Sequence, residues 1–251
     1  MRYLILSDIH ANWEALQAVL RHTRRRKFER ILFLGDAVGY GASPNQVVDW
    51  LRSQGRRAVI VRGNHDRVCA GLESAVTFNR YAREATHWTH QHLSPRNLEF
   101  LQTLPVGPLE VEEDLVVCHG SPVDEDEYIF SVADAGDALS VTPATVVFFG
   151  HTHIPSIFMA RMVDGHELFQ IRLLSGHRNV LDLEADCRYL INPGSVGQPR
   201  DRDPAASYAV YDHGRRRLYH YRVGYPVQAA RRRIHQAGLP PVLGDRLQYG
   251  A

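Results

Sequence analysis

Short apolar runs alternate with amphipathic stretches through the first third of the chain. Tyr3–Leu6, Ile31–Leu34 and Ala58–Val61 have the length and β-branched, aliphatic character of buried strands. Between the first two, Asn12 is a good cap for a helix whose Trp13, Leu16, Val19 and Leu20 share one stripe. Ser43-Pro44-Asn45-Gln46 then supplies a cap, a first-turn proline and a capping-box glutamine for a helix through Arg52, stopped near Gly55. Alternation of this kind predicts right-handed crossovers and a mostly parallel sheet.

The period changes after Arg67. Thr77–His92 and Ser94–Leu104 both read as helices with no strand between them, which predicts a small helical cap at about 67–105. Strands dominate from there: Gly107–Glu112, Leu115–Cys118, Val146–Phe149, Ile157–Val163 and Glu167–Ile171, the last two joined by a turn at Asp164-Gly165. Another hairpin turns at Asp212–Arg215, and Pro226–Gln236 reads as a terminal helix ending at Gly238. Residues 1–240 are therefore expected to form one domain, with 241–251 a poorly ordered tail.

Composition narrows the picture further. A chain of 251 residues, 44% of them hydrophobic, can bury one sizeable core. Its formal charge of +1 exerts no global pull toward nucleic acid or a membrane surface. Basic runs at Arg24–Lys27, Arg215–Arg217 and Arg231–Arg233 are offset by acidic residues elsewhere, so nucleic-acid binding is not expected. Three cysteines, Cys69, Cys118 and Cys187, show no paired spacing, which favours a reducing compartment and a cytoplasmic location. No stretch approaches the roughly 20 apolar residues that span a bilayer, and the first apolar run reads as core strand.

Five short polar blocks follow these strands: Asp8-Ile9-His10, Gly35-Asp36, Gly63-Asn64-His65-Asp66, Cys118-His119-Gly120 and Gly150-His151-Thr152-His153. That is where open α/β sheets place ligands. Asp8 and His10 are two apart, as are His151 and His153, so in an extended segment each pair emerges on one face and can grip one ion. Cys118 and His119 are adjacent on a strand and face opposite sides, so Cys118 reads as a small buried hydrophobe. Oxygen and nitrogen donors alone suit Mn, Fe, Zn, Co or Ni, divalent or in a mixed-valence pair, without choosing among them. Two such ions about 3.5–4 Å apart need a bridging carboxylate, which Asp36 can provide. Water held between them loses a proton near neutral pH and becomes the hydroxide that attacks phosphorus.

In this order the blocks resemble the calcineurin-like metallophosphoesterase family, from Asp8 to at least Gly197. The resemblance implies a first metal on Asp8, His10, Asp36 and His153, and a second on Asp36, Asn64, His119 and His151. It makes His65 the group that protonates the leaving oxygen or steadies the transition state. The fold it implies is α/β of the α+β kind, a four-layer αββα sandwich of two mixed β-sheets flanked by helices, with the helical cap inserted. Where the family's serine/threonine protein phosphatases carry an Asp that pairs with the catalytic His and an Arg that binds phosphate, this chain has Gly39 and Tyr40. Gly35-Asp36-Ala37-Val38-Gly39-Tyr40-Gly41 and Asn192-Pro193-Gly194-Ser195-Val196-Gly197 instead resemble the small bacterial phosphodiesterase branch. The expected substrate is then a small-molecule phosphoester or a nucleotide such as a dinucleoside polyphosphate. A phosphomonoesterase with the same site is the alternative, and a non-catalytic scaffold like the retromer coat subunit is disfavoured because His65 is kept. Arg200 could reach a substrate phosphate or pair with Asp201 or Asp203; Asn12 could cap its helix, contact phosphate, or both. Oligomeric state is open.

Overall fold

The computed structural model describes all 251 residues, Met1–Ala251. In chain order its elements are β1 (Arg2–Leu6), α1 (Trp13–Thr23), β2 (Arg30–Phe33), α2 (Pro44–Gln54), β3 (Ala58–Ile60), α3 (Asn64–Cys69), α4 (Arg80–His92), α5 (Pro95–Gln102), β4 (Leu109–Glu112), β5 (Leu115–Val117), α6 (Val132–Ser140), β6 (Val146–Phe148), β7 (Ser156–Val163), β8 (His166–Leu173), β9 (Arg178–Asp182), β10 (Cys187–Asn192), β11 (Ala206–Asp212), β12 (Arg217–Val223), α7 (Val227–Gln236) and α8 (Pro241–Asp245). Two six-stranded mixed sheets result, ordered β3-β2-β1-β11-β12-β9 and β4-β5-β6-β10-β7-β8.

Alternation along the strands explains the layering. In β1, Tyr3 and Ile5 point one way and join Leu32, Leu115, Val117, Phe148 and Ile191 in the core between the sheets. Leu4 and Leu6 point the other way, into a core shared with Leu16, Val19, Val47, Val48 and Leu51 of the covering helices α1 and α2. The second sheet repeats this outward burial through Val116, Val147 and Phe149 beneath Ala135 and Leu139 of α6. Both faces of the central strands are therefore buried, which is why they read as unbroken apolar runs. Each fully buried aliphatic or Phe side chain contributes about 1.5–3 kcal/mol, so the two-sided strands anchor the architecture. This is the αββα sandwich.

The trio β1, β2 and β3 is parallel, and so is β5 with β6 and β6 with β10. Consequently the carboxyl ends of β1, β2, β3, β5 and β6 deliver the five polar blocks. Antiparallel additions complete each sheet, including β11 against β1 and the β11–β12 hairpin.

Helices α4 and α5 form the inserted cap, with Asn79 and Ser94 accepting from the backbone at their N-termini. Their apolar residues Leu93, Leu101 and Leu104 join the α1–α2 core, so the cap lies on the flank of the sandwich. Helix α6 was not anticipated, although Ser131 and Asp134 form a capping box at its start.

The expected loose tail is a correction. Residues after Gly238 form α8 and a single 3-10 turn at Arg246–Gln248, with Leu243 and Leu247 buried against Ala230 and Ile234 of α7 and Ala82 and Ala85 of α4. Apolar residues four apart outweigh the proline and glycines that suggested disorder. No helix is long and apolar enough to cross a membrane, and the three cysteines are free and buried.

Candidate dinuclear metal centre

Loops rather than strands carry most of the polar blocks. Asp8, His10, Asp36, His151 and His153 all adopt left-handed backbone, with φ of 52°, 48°, 59°, 64° and 61°. The extended geometry expected for Asp8/His10 and His151/His153 is thus replaced by tight turns just past the strand ends. For an L-residue this conformation costs roughly 1–2 kcal/mol, and its concentration at one place marks a functional constraint. Backbone bonds hold the turns together: Asp8 N–H donates to Gly35 O (3.0 Å), His10 N–H to Asp36 O (3.0 Å), Val196 N–H to Ser7 O (3.0 Å) and Gly150 N–H to His119 O (2.7 Å).

The turns aim seven side chains inward. Asp8, His10, Asp36 and His153 form one buried group, and Asp36, His119 and His151 a second, in each case with donor atoms within 4.8 Å of one another. Asp36 belongs to both: its Oδ2 lies 3.5 Å from His10 Nε2 and 3.5 Å from His119 Nε2. Asn64, first residue of α3, places Oδ1 3.2 Å from His119 Nε2. Gly63 allows this crowding, because a Cβ there would collide with Asp36 Oδ1 and its backbone nitrogen.

Hydrogen bonding defines which ring nitrogens are free. His10 Nδ1 faces Val38 O at 3.0 Å, His153 Nδ1 faces Gln198 O at 2.5 Å and His119 Nδ1 faces Leu34 O at 2.7 Å. Carbonyls only accept, so each Nδ1 carries the proton and each Nε2 presents a lone pair. The Nε2 atoms of His10 and His153 then face each other at 3.2 Å, and His119 Nε2 faces the Asn64 carbonyl oxygen, acceptor against acceptor. Both oxygens of Asp8 are buried without a hydrogen-bond partner. Only a cation satisfies such a set, so the residues present fit a metal pair. In His151 the pattern reverses, Nε2 meeting Asp126 O at 3.1 Å and leaving Nδ1 free.

Burial dominates the electrostatics. It raises the Asp8 carboxyl to about 7 and pushes Asp36 well above its usual range, the latter aided by the Asp66 charge. The imidazoles of His10 and His153 are pushed well down and that of His151 to about 2, again chiefly by burial. Neutral imidazole is the metal-binding form.

His65 stands at the rim. Its backbone N–H donates to Asp36 Oδ1 (2.9 Å), and its ring packs against Tyr40 and Phe78 with centroids 4.4 and 4.7 Å away. Nδ1 is buried with no partner. Gly39 makes room, since a Cβ there would come within 2.5 Å of that nitrogen. Gly39 thus offers His65 no side-chain partner, and the Tyr40 ring packs against it instead.

Of the two candidate substrate contacts, Asn12 takes up its capping role. Asn12 Oδ1 accepts from Ala15 N–H (3.1 Å), and its amide nitrogen donates to Gly197 O (2.8 Å) and the Tyr225 hydroxyl (3.2 Å). Both ends of the side chain are engaged within the fold. Arg200 pairs with neither Asp201 nor Asp203, which both turn to Arg222. Its guanidinium lies 5.9 Å from the Tyr40 ring centre and donates only to Gln198 Oε1 (3.1 Å). Sequence reasoning missed Phe78, Tyr128 and Arg246, none of which belongs to a spaced motif. Tyr128 stacks on His151 at 3.9 Å and on Phe130 at 5.3 Å.

A second layer supports the turns. Ser195 Oγ donates to Asp8 O (2.8 Å), and Asn192 Nδ2 to Gly150 O (2.6 Å). Ser207 Oγ donates to Pro193 O (2.5 Å) and meets His220 Nε2 at 2.8 Å, while Asn179 Nδ2 donates to His220 Nδ1 (3.3 Å). This network fits only neutral His220, and burial lowers its pKa to about 4. Because the folded value lies below the unfolded one of about 6.5, the stabilisation is present above pH 6.5 and lost as pH falls toward 4. Between pH 8 and pH 5 this one group is expected to remove about 2 kcal/mol of stability. Urea melts at both pH values, in wild type and His220→Gln, check it: the variant's loss should be smaller by that amount, and an equal loss refutes the assignment.

Comparison with known proteins agrees with this architecture. The model of the calcineurin-like phosphoesterase superfamily domain matches residues 1–216. An uncharacterized protein of Methanocaldococcus jannaschii is 37% identical over 258 aligned positions, covering 98% of this chain and 97% of its own. The crystal structure of a metallophosphoesterase from Sphaerobacter thermophilus superposes with a TM-score of 0.84 at 37% identity, with both chains fully covered. A symmetrical bis(5'-nucleosyl)-tetraphosphatase of Sodalis glossinidius is 26% identical over 120 residues, 47% of this chain and 43% of the relative.

Proposed function

Given that the chain belongs to the calcineurin-like phosphoesterase superfamily and is a phosphoester hydrolase, we propose that it is a dinuclear-metal phosphodiesterase acting on a small-molecule or nucleotide phosphoester. The observation that carries this reading is the pair of buried donor groups that share Asp36, with His65 bonded to that same carboxylate. Asp8, His10, Asp36 and His153 would hold one ion, and Asp36, Asn64, His119 and His151 the other. When bound, the ions supply an activated water and a clamp for the phosphoryl oxygens.

The chain's own residues do the rest. Asp36 and the second-layer bonds from Ser195 and Asn192 fix the donor positions, so little reorganisation accompanies reaction. His65, free of any competing side-chain hydrogen bond, is held neutral by burial and donates a ring N–H hydrogen bond that steadies the charge building on the departing oxygen as the P–O bond breaks. Arg200 meets the phosphate oxygens. Tyr128 and Phe130, 43% and 56% exposed beside His151, provide an apolar wall on which the second ester group of a diester can lie. A monoester would leave that wall bare. The likeness to a symmetrical bis(5'-nucleosyl)-tetraphosphatase, though it covers under half of each chain, supports a nucleotide substrate.

Turnover of bis-p-nitrophenyl phosphate and p-nitrophenyl phosphate with added Mn tests the reading. The diester should be hydrolysed with at least tenfold higher kcat/KM, activity should vanish with EDTA, and Mn should restore it. Absence of turnover in metal-loaded protein defeats the proposal; faster monoester cleavage makes the protein a phosphomonoesterase.

A further inference from the structure

Two guanidinium groups converge on the Tyr40 ring, and neither meets a carboxylate. Arg246 sits with its guanidinium 4.5 Å from the ring centre, and Arg200 lies 5.9 Å from it. The same ring touches His10 and His65, with centroids 4.7 and 4.4 Å away, so both cations border the donor cluster. Nε and Nη2 of Arg246 are buried with no hydrogen-bond partner.

The acidic neighbours in sequence are all turned away. Asp201 and Asp203 pair with Arg222, and Asp245 pairs with Arg231 at 2.6 Å and His235 at 3.3 Å. The two segments that carry the arginines are tied to each other, since Arg202 N–H donates to Gly250 O (2.9 Å). The Tyr40 ring partly compensates the Arg246 charge, but the buried Nε and Nη2 donors of Arg246 stay unmet, and an anion between the two arginines would complete them. Asp8 and Asp36 cannot also neutralise these arginines once they hold a cation pair. A singly charged diester then leaves the pocket positive, and a ligand with one more phosphate matches it.

We infer that Arg246, delivered by the C-terminal segment, acts with Arg200 to bind a second phosphate of the substrate, adjacent to the one the metals hold, so that the site prefers phosphoanhydride-bearing nucleotides. The position of the first phosphate rests on the metal-centre reading above.

AMP and ADP differ by that one group. Isothermal titration of each into full-length, Mn-loaded protein gives the ratio of their dissociation constants without requiring turnover. ADP should bind wild type at least tenfold more tightly, and the ratio should fall below about threefold in Arg246→Gln. Arg246→Lys, which keeps the charge but loses the fork, should give an intermediate ratio and decides the matter if the glutamine variant does not fold. Equal affinities in wild type, or a variant that weakens AMP and ADP alike, overturns the inference and leaves Arg246 a packing partner of Tyr40. Failure of the phosphodiesterase reading is separate: it appears as missing hydrolysis of bis-p-nitrophenyl phosphate, whatever the binding ratio.

Discussion

Asp36→Asn is expected to lower Mn-dependent turnover by about three orders of magnitude and to reduce the metal bound per chain below the wild-type content. The substitution is nearly isosteric, and Asn tolerates the left-handed backbone that Asp36 adopts (φ 59°). Its Oδ1 can still accept from His65 N–H, so the loop should keep its shape. What changes is the atom 3.5 Å from both His10 Nε2 and His119 Nε2, which loses its charge and its lone pairs. Loss of a bridging ligand forfeits several kcal/mol of transition-state stabilisation, and each 1.36 kcal/mol is tenfold in rate. Metal analysis by plasma mass spectrometry together with steady-state kinetics checks it. A variant that retains wild-type metal content and turnover would remove Asp36 from the bridging position.

The second large effect separates chemistry from metal retention. His65→Ala should reduce kcat by about 10²–10⁴ while metal content stays at the wild-type level. The side chain makes no hydrogen bond to any of the seven donor residues; the rings of Tyr40, Phe78 and, edge-on at 4.9 Å, His10 hold it by contact beside Gly39. Removing it therefore takes away a hydrogen-bond donor at the leaving oxygen while every bond among the donor residues stays in place. If metal is lost along with activity, His65 is structural; if neither changes, the leaving oxygen is steadied from elsewhere.

These two residues also illustrate what could be read before folding. Asp36 and His65 each lie in a compact block after an apolar run, and that placement reflects a local rule, because a strand end is exposed to the crevice whatever surrounds it. The parallel strands and the inserted helices α4 and α5 were equally accessible, since burial on both faces leaves unbroken apolar runs and helix caps leave recognisable residues, whereas the two mixed sheets were implied only by the family resemblance. The backbone of the blocks was not. Left-handed turns at Asp8, His10, His151 and His153 arise from bonds between separate loops, such as Asp8 N–H to Gly35 O, that no single segment encodes.

Arg246 marks the same boundary from the other side. Its segment, Pro241–Gln248, has the proline and glycine of a loose end, and only the partners in α7 and α4 turn Leu243 and Leu247 into core. Asn12 shows the converse, as its capping role followed from its neighbours in sequence, whereas its bonds to Gly197 and Tyr225 join remote parts of the chain.

By itself, then, the sequence determined the alternation of strands and helices and the polar blocks that follow the strands, because period, capping and residue chemistry are properties of short segments, while the layered sandwich and the donor set were implied by the family resemblance. The tertiary structure alone decided which imidazole nitrogens are free, how the turns that carry the blocks are bent, and which arginines are left without a carboxylate. Those outcomes depend on distances between atoms far apart in the chain, and such distances are fixed only when the loops close on one another.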